Sequence, residues 1–523
     1  AEVKTAEVYT IDGTLSPDEL LAAASGPLSD PVIQNYALNR GIMAGFNWMI
    51  EVGYRPGVTD NIGKTAREAL ALLFGKTPKA FYPVHTSRQY AIRGNLRREE
   101  AEKIATDLLA NELIEHFVIV DGRDRLPDQD VPAYVPRVEG VDHPRTTRID
   151  LNVSDERLSA ISSEGVLALN LEEMKTIRDY LKRADVQEAR KKWGLGEEIT
   201  DAELECLAQT WSEHCKHKIF NALIDYEDDR GNRQVIDSLF DSFIRKSTGD
   251  IRKKMGANDW CLSVFVDNAG IIRFNEDYNM VFKVETHNSP SALDPYGGAL
   301  TGIVGVNRDP FGTGLGAKLI FNTDVFCFAP PHYEKPLPKR ILHPRRIYEG
   351  VREGVEHGGN KSGIPTVNGC IVFDERYLGK PLVYCGTGGF MPAKIGGRES
   401  HKREILPGDL IIMAGGRVGK DGIHGATFSS EELHEGSPVT AVQIGDPITQ
   451  KKMTDFLLVA RDRGLYRCLT DDGAGGLSSS VGETARLSGG CEMDLKQVPL
   501  KYAGLNPWEI LISESQERMT IAV

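Results

Sequence analysis

Tyr278-Asn-Met-Val-Phe-Lys-Val-Glu-Thr-His-Asn-Ser-Pro290 is the segment from which the rest of the chain is read. Its first part is β-branched and aromatic and is bounded by Asn and Pro, which predicts a strand running into a tight turn. Side chains alternate along a strand, so Lys283, Glu285 and His287 share one face over about 13 Å. A cation, a carboxylate and an imidazole on one face suit a phosphate, a metal and a proton. The other face, Phe282, Val284 and Thr286, is expected to meet the core. The same pattern also fits an edge strand with a solvated polar face.

Working outward, 523 residues exceed a single core, so three or more domains are expected. The net charge of −13, without a long basic block, argues against nucleic acid or an anionic membrane as partner. Eight scattered cysteines with no Cys-x-x-Cys point to reduced thiols in a cytoplasmic protein rather than disulfides or a zinc ribbon. No apolar run is long enough to span a bilayer, and no signal peptide is visible. The start at Ala1 and the strand-like Met519-Thr-Ile-Ala-Val523 both read as cut ends.

An internal repeat fills the N-terminal part. Tyr9-Thr-Ile-Asp-Gly-Thr-Leu15 matches Tyr90-Ala-Ile-Arg-Gly-Asn-Leu96, and the same offset pairs Ile33 with Ile114 and Tyr36 with Phe117. The copies are expected at 1–41, incomplete, and 42–122. The second reads as a strand from Trp48, a helix with Ile62, Ala66 and Leu70 on one side, a strand to Arg93, a helix from Arg98 and a strand from Ile114. A linker rich in Asp, Arg and Pro should occupy 123–165, and a helical linker 166–218. Within the latter, Asn170/Glu173 and Thr200/Glu203 are capping pairs. Leu204, Leu207, Trp211 and His214 fall on one stripe, which puts His214 on its apolar side. A zinc site at His214, Cys215 and His217 is rejected, because adjacent helical positions point around the axis.

Beyond Pro290, Gly298, Gly302 and Gly305 form a bare stripe on a predicted helix. Each costs about 1 kcal/mol against Ala, so close approach of a backbone or ligand is expected there. The helix would end by delivering Arg308 and Asp309, suited to an anion and to Mg²⁺. Gly415-Gly-Arg-Val-Gly-Lys-Asp-Gly-Ile-His-Gly425 is not a Walker loop, because Ala414 and Asp421 occupy positions that need Gly and Ser/Thr. Its amides suit either a phosphate cradle or a set of tight turns.

Several of these strings carry a resemblance. Ile50-Glu-Val-Gly-Tyr-Arg-Pro-Gly-Val-Thr-Asp-Asn61 and Leu108-Leu-Ala-Asn-Glu-Leu-Ile-Glu115 resemble the small PurS subunit of formylglycinamide ribonucleotide amidotransferases. Trp211-Ser-Glu-His-Cys215 resembles that family's signature. Lys283-Val-Glu-Thr-His-Asn288, Tyr296-Gly-Gly, Arg308-Asp309, Gln443-Ile-Gly-Asp-Pro447, Thr470-Asp-Asp-Gly-Ala-Gly-Gly476 and Glu514-Ser-Gln-Glu-Arg518 follow the order of its synthetase part.

The resemblance implies an α+β / α/β multidomain protein. A PurS-like repeat would be followed by an aminoimidazole ribonucleotide synthetase-like ATP-binding domain at 219–391 and a second α/β domain at 392–523. It further implies ATP and Mg²⁺ as cofactors and formylglycinamide ribonucleotide as substrate. A separate glutaminase subunit and a C-terminal synthetase half are the implied partners. Catalytic roles fall on His214 and His287, and ATP contacts on Lys283 and His217. Substrate contacts fall on Thr286, Asn288, Ser289, Arg308, Gln443, Glu514, Ser515 and Gln516, and metal contacts on Glu285, Asp309 and Asp471. Two departures stand out: relatives commonly have Tyr at the position of His217, and many have His at that of Ser289. Another ATP-using member of the superfamily, such as a selenophosphate or hydrogenase-maturation enzyme, and a non-catalytic scaffold for the glutaminase are the alternatives.

Overall fold

The computed structural model describes residues 2–123, 133–138, 143–339, 341–429 and 443–523. The chain divides into two compact units, 1–139 and 140–523. Of the expected linker, 124–132 and 139–142 lie outside the described residues.

The first unit contains β1 (Glu2–Ile11), α1 (Pro17–Ser25), β2 (Trp48–Tyr54), α2 (Asn61–Leu73), β3 (Val84–Arg93), α3 (Arg98–Ile104) and β4 (Glu115–Asp121). Its strands form an antiparallel sheet in the order β1-β3-β2-β4. Trp48, Ile50, Val52 and Ile92 pack on Ala101 and Ala105, and Leu70 packs with Ala23, Phe81 and Val84. The buried line of α2 is Gly63, Ala66 and Leu70, whereas Ile62 is exposed. The sequence repeat is visible as β1-α1 against β3-α3. It stops there, because Ile33 and Tyr36 are exposed and form no strand.

The second unit opens with α4 (Asp155–Glu164), α5 (Leu171–Leu181), α6 (Asp201–Thr210) and the single turn α7 (Glu213–Lys216). Leu158 of α4 is fully buried with Leu167, Met174 and Leu204, so the helical region begins before 166. Both anticipated capping boxes are formed, at Asn170/Glu173 and Thr200/Glu203. The stripe through Leu207 to His214 is interrupted: α6 ends at Thr210, Leu207 is exposed, and Ser212 caps the next turn.

Next come β5 (Cys261–Ser263), β6 (Gly270–Arg273), β7 (Tyr278–Thr286), α8 (Asn288–Leu293), α9 (Pro295–Phe311), β8 (Lys318–Phe328), α10 (Pro344–Ser362), β9 (Thr366–Phe373) and β10 (Leu382–Pro392). The sheet order is β9-β8-β10-β7-β6-β5, with only β8 and β9 parallel. Helices α9 and α10 cover one face, where Ala299, Ile303 and Val306 meet Phe326, Val351, Val383 and Cys385.

That arrangement reverses the expected faces of β7. Lys283, Glu285 and His287 lie on the side of α9, whereas Phe282 and Thr286 are exposed. Glycine makes the polar face the packed one. A Cβ on Gly302 would lie 3.0 Å from His287 Cβ and 3.4 Å from Cys385 Sγ, and one on Gly305 would lie 3.0 Å from Glu285 Oε1. Hydrocarbon on α9 would exclude those charged side chains.

The last part holds β11 (Ile411–Gly415), α11 (Pro447–Asp462), β12 (Cys468–Asp471), α12 (Gly476–Ser488), α13 (Pro507–Ile512) and β13 (Arg518–Ala522). Its sheet runs β11-β13-β12, antiparallel throughout. Phe311, at the end of α9, belongs to the core of Leu457, Leu469, Met519 and Ile521, which ties the two sheets into one body.

Candidate active site

β7 and α9 bring the charged groups together, and β12 supplies one more. Lys283 Nζ lies 2.5 Å from Asp309 Oδ2 and donates to the Asn268 carbonyl at 2.9 Å. Asn268 Nδ2 donates to Asp471 Oδ1 at 2.9 Å, and Arg308 Nε lies 3.6 Å from Asp471 Oδ2. Glu285 feels Lys283, Arg308 and Asp471. Three carboxylates therefore share one cluster with two cations.

Burial, then Asp471 and Glu285, pushes the Asp309 carboxyl well above its ordinary range, and Lys283 only partly opposes this. Glu285 rises for the same first reason. Burial works against the Lys283 ammonium, but Asp309 and Glu285 outweigh it and its pKa rises. A further cation would relieve this excess of buried negative charge. Among the described residues no three His, Cys, Asp or Glu side chains form a ready metal cage. Asp309 and Asp471 instead meet Lys283, Arg308 and Asn268. The donor set fits Mg²⁺, which keeps several waters and takes one or two carboxylates plus phosphate oxygens. Glu285, Asp309 and Asp471 would hold it.

His287 Nδ1 lies 2.5 Å from the Gly298 carbonyl. A carbonyl only accepts, so Nδ1 carries the proton and Nε2 keeps its lone pair. Burial lowers the pKa of His287 to about 4; the Gly298 carbonyl opposes this, and Arg308 and His214 add to it. The pKa of His214, on α7, is also lowered, by desolvation and then by His217 and Lys283. His217 is exposed and caps α7 with φ of 52°. His214 thus stands within electrostatic reach of Lys283.

Arg308 also donates to Gln516 Oε1, and Gln516 donates to Gln443 Oε1. Gln443 Nε2 donates to Glu514 Oε2 at 2.8 Å, so these four residues form one buried network. The remaining candidates are placed elsewhere. Strand alternation turns Thr286 to the exposed face. Asn288 Oδ1 accepts from the Val383 amide, and Ser289 is buried in α8. Ser515 donates to Asp421 Oδ1 and accepts from the Gly419 amide, fastening the glycine-rich loop. That loop is a set of turns, with Gly422 and His424 at positive φ. Sequence reasoning missed Asn268, whose carbonyl and amide hold Lys283 and Asp471; its Asp-Asn-Ala-Gly setting reads only as a turn.

Burial pushes Glu514 and Glu517 up to about 7. Their folded pKa values exceed the ordinary 4.5, so the folded state holds more protons between these limits. Stability should therefore fall as pH rises through that window. Thermal unfolding followed across it is expected to show the fall, and Glu514→Gln to flatten it; an unchanged slope would remove Glu514 as a source.

Three family models match the second unit. These are the formylglycinamide ribonucleotide amidotransferase linker domain over 158–218, the AIR synthase related protein N-terminal domain over 266–391 and its C-terminal domain over 407–523. The chain is 38% identical over 379 residues to the phosphoribosylformylglycinamidine synthase subunit PurL of Thermoplasma acidophilum, covering 72% of this chain and 44% of that protein. It is 34% identical over 330 residues to the PurL subunit of Thermotoga maritima, covering 62% of this chain and 46% of that protein. A solved structure of Thermotoga maritima PurL complexed with FGAR aligns with a TM-score of 0.47 at 30% identity, over 64% of this chain and 47% of that one. The chain spans less than half the length of these relatives.

Proposed function

We propose that this homologue of phosphoribosylformylglycinamidine synthase PurL subunits, with its two AIR synthase-related domains, takes part in the ATP- and Mg²⁺-dependent amidation of formylglycinamide ribonucleotide. The observation that carries the reading is the convergence of Lys283, Glu285, Asp309 and Asp471 beside Arg308 and His287. In this reading the amide oxygen of the substrate takes the γ-phosphoryl group of ATP. Ammonia attacks the resulting iminophosphate carbon, the C–O bond breaks, and phosphate leaves with the oxygen.

Lys283 meets the polyphosphate, and Arg308, steadied by Gln516 and Asp471, meets the acceptor's anionic group. His287 Nε2 takes a proton at the reacting amide, and the Gly298 carbonyl fixes its tautomer. Mg²⁺, when bound, neutralises charge on the phosphate oxygens. His214 stands on the same side and is assigned to the ammonia or nucleotide end. A glutaminase subunit would supply the ammonia, and a C-terminal synthetase half, which the resemblance implies, would be a further partner. The cytoplasm is the expected setting; among the described residues no helix is long and apolar enough to cross a membrane.

Mixing the protein with ATP, Mg²⁺, formylglycinamide ribonucleotide and ammonium is expected to release phosphate and form the amidine. Phosphate release that ignores the acceptor would favour another ATP-using relative. No release at all would favour a scaffold.

A further inference from the structure

The glycine-rich loop at 415–425 takes no part in the chemistry above, yet it carries a buried polar contact to α6. His424 Nε2 lies 2.9 Å from Glu205 Oε2, and the two residues are 8% and 7% exposed. Glu205 belongs to α6, the helix that leads into Trp211-Ser-Glu-His-Cys215. One turn on, Gln209 is 1% exposed; its Oε1 accepts from Thr427 Oγ1 at 3.4 Å, while its Nε2 has no partner among the described residues. A polar face of α6 therefore grips the residues just after the loop.

A well-packed apolar pair commonly stabilises as much as a buried polar one, so cohesion does not explain this contact. Its orientation does. His424 has φ of 60°, a strained conformation for a non-glycine residue, and its ring stacks on Trp508 with centroids 6.1 Å apart. The turn so held presents the Ala426 amide to Glu514 Oε1 at 3.2 Å, which also accepts from the Gly475 amide at 3.2 Å. Glu514 orients Gln443, Gln443 meets Gln516, and Gln516 meets Arg308. A continuous chain of polar contacts thus runs from α6 to the arginine beside Asp471.

We propose that Glu205 and His424 are positioning residues: their hydrogen bond fixes the 424–427 turn, and through Glu514, Gln443 and Gln516 it sets Arg308 for the acceptor's anionic group. The assignment to the acceptor rests on the function proposed above; the mechanical link does not. His424→Leu and Glu205→Leu are expected to speed amide hydrogen exchange about tenfold in peptides containing Ala426 and Gly475, with Glu205→Gln, which keeps an acceptor, and His424→Gln, which keeps a donor, restoring protection. In turnover, KM for formylglycinamide ribonucleotide should rise about tenfold in the first two variants while KM for ATP stays put.

Unchanged exchange at both peptides overturns the link, whatever the substrate. Faster exchange with equal rises in both KM values, or with none, overturns the acceptor assignment. A wild-type protein inert toward formylglycinamide ribonucleotide defeats the functional reading, and the exchange arm still decides the link. If Glu205→Leu does not fold, His424→Leu and its rescue by His424→Gln carry the test.

Discussion

His287→Ala is expected to lower ammonia-driven kcat by about 10²–10⁴-fold while ATP still binds. The loss follows from how the ring is held. Its Nδ1 proton is fixed on the Gly298 carbonyl, so Nε2 is the only position that can accept, and alanine offers none. The Lys283–Asp309 contact does not pass through the ring, so nucleotide affinity should survive. Desolvation, which brings the His287 pKa to about 4, keeps the ring neutral throughout the working range. The acid limb of the wild-type profile should therefore not sit near an ordinary histidine value. Steady-state kinetics with ammonium, paired with equilibrium ATP binding, checks both parts; undiminished kcat removes His287 from the mechanism.

Gly298→Ala is expected to destabilise the protein by about 3 kcal/mol or more, against a gain of about 1 kcal/mol for the same change on an open helix. The added Cβ would fall 2.5 Å from the Ser291 amide nitrogen and 2.6 Å from the Pro290 carbonyl carbon. Both are backbone atoms of α8, which no rotamer change can move. Since Gly298 also supplies the carbonyl that orients His287, activity should fall with stability. Urea unfolding with unchanged slope and a lowered midpoint is the expected record. A midpoint equal to or above wild type would mean that α8 and α9 pack less closely than described.

How far the chain could be read from its sequence depended on how local each signal is. The capping boxes at Asn170 and Thr200 are fixed by residues three apart, and they formed as anticipated. The close approach implied by Gly298, Gly302 and Gly305 is also met, by α8 and by β7. Which face of β7 is covered was not local information. Alternation paired Lys283 with Glu285, but only the docking of α9 decided that this pair, not Phe282, faces a neighbour. Ser289 is buried in α8 and Ser515 bonds Asp421, away from the charged cluster, because a motif gives order along the chain and not the direction of a side chain. Asn268 and the Glu205–His424 pair escaped notice because their partners lie far away in the chain.

The four glycines of α9 have one more consequence. They remove about 4 kcal/mol of intrinsic helicity from a 17-residue segment. Alone in water such a peptide would be coil. The helix therefore depends on its packing against the sheet and α10 to exist at all. Arg308 and Asp309 owe their direction to that packing, so whatever loosens it should disperse the charged cluster.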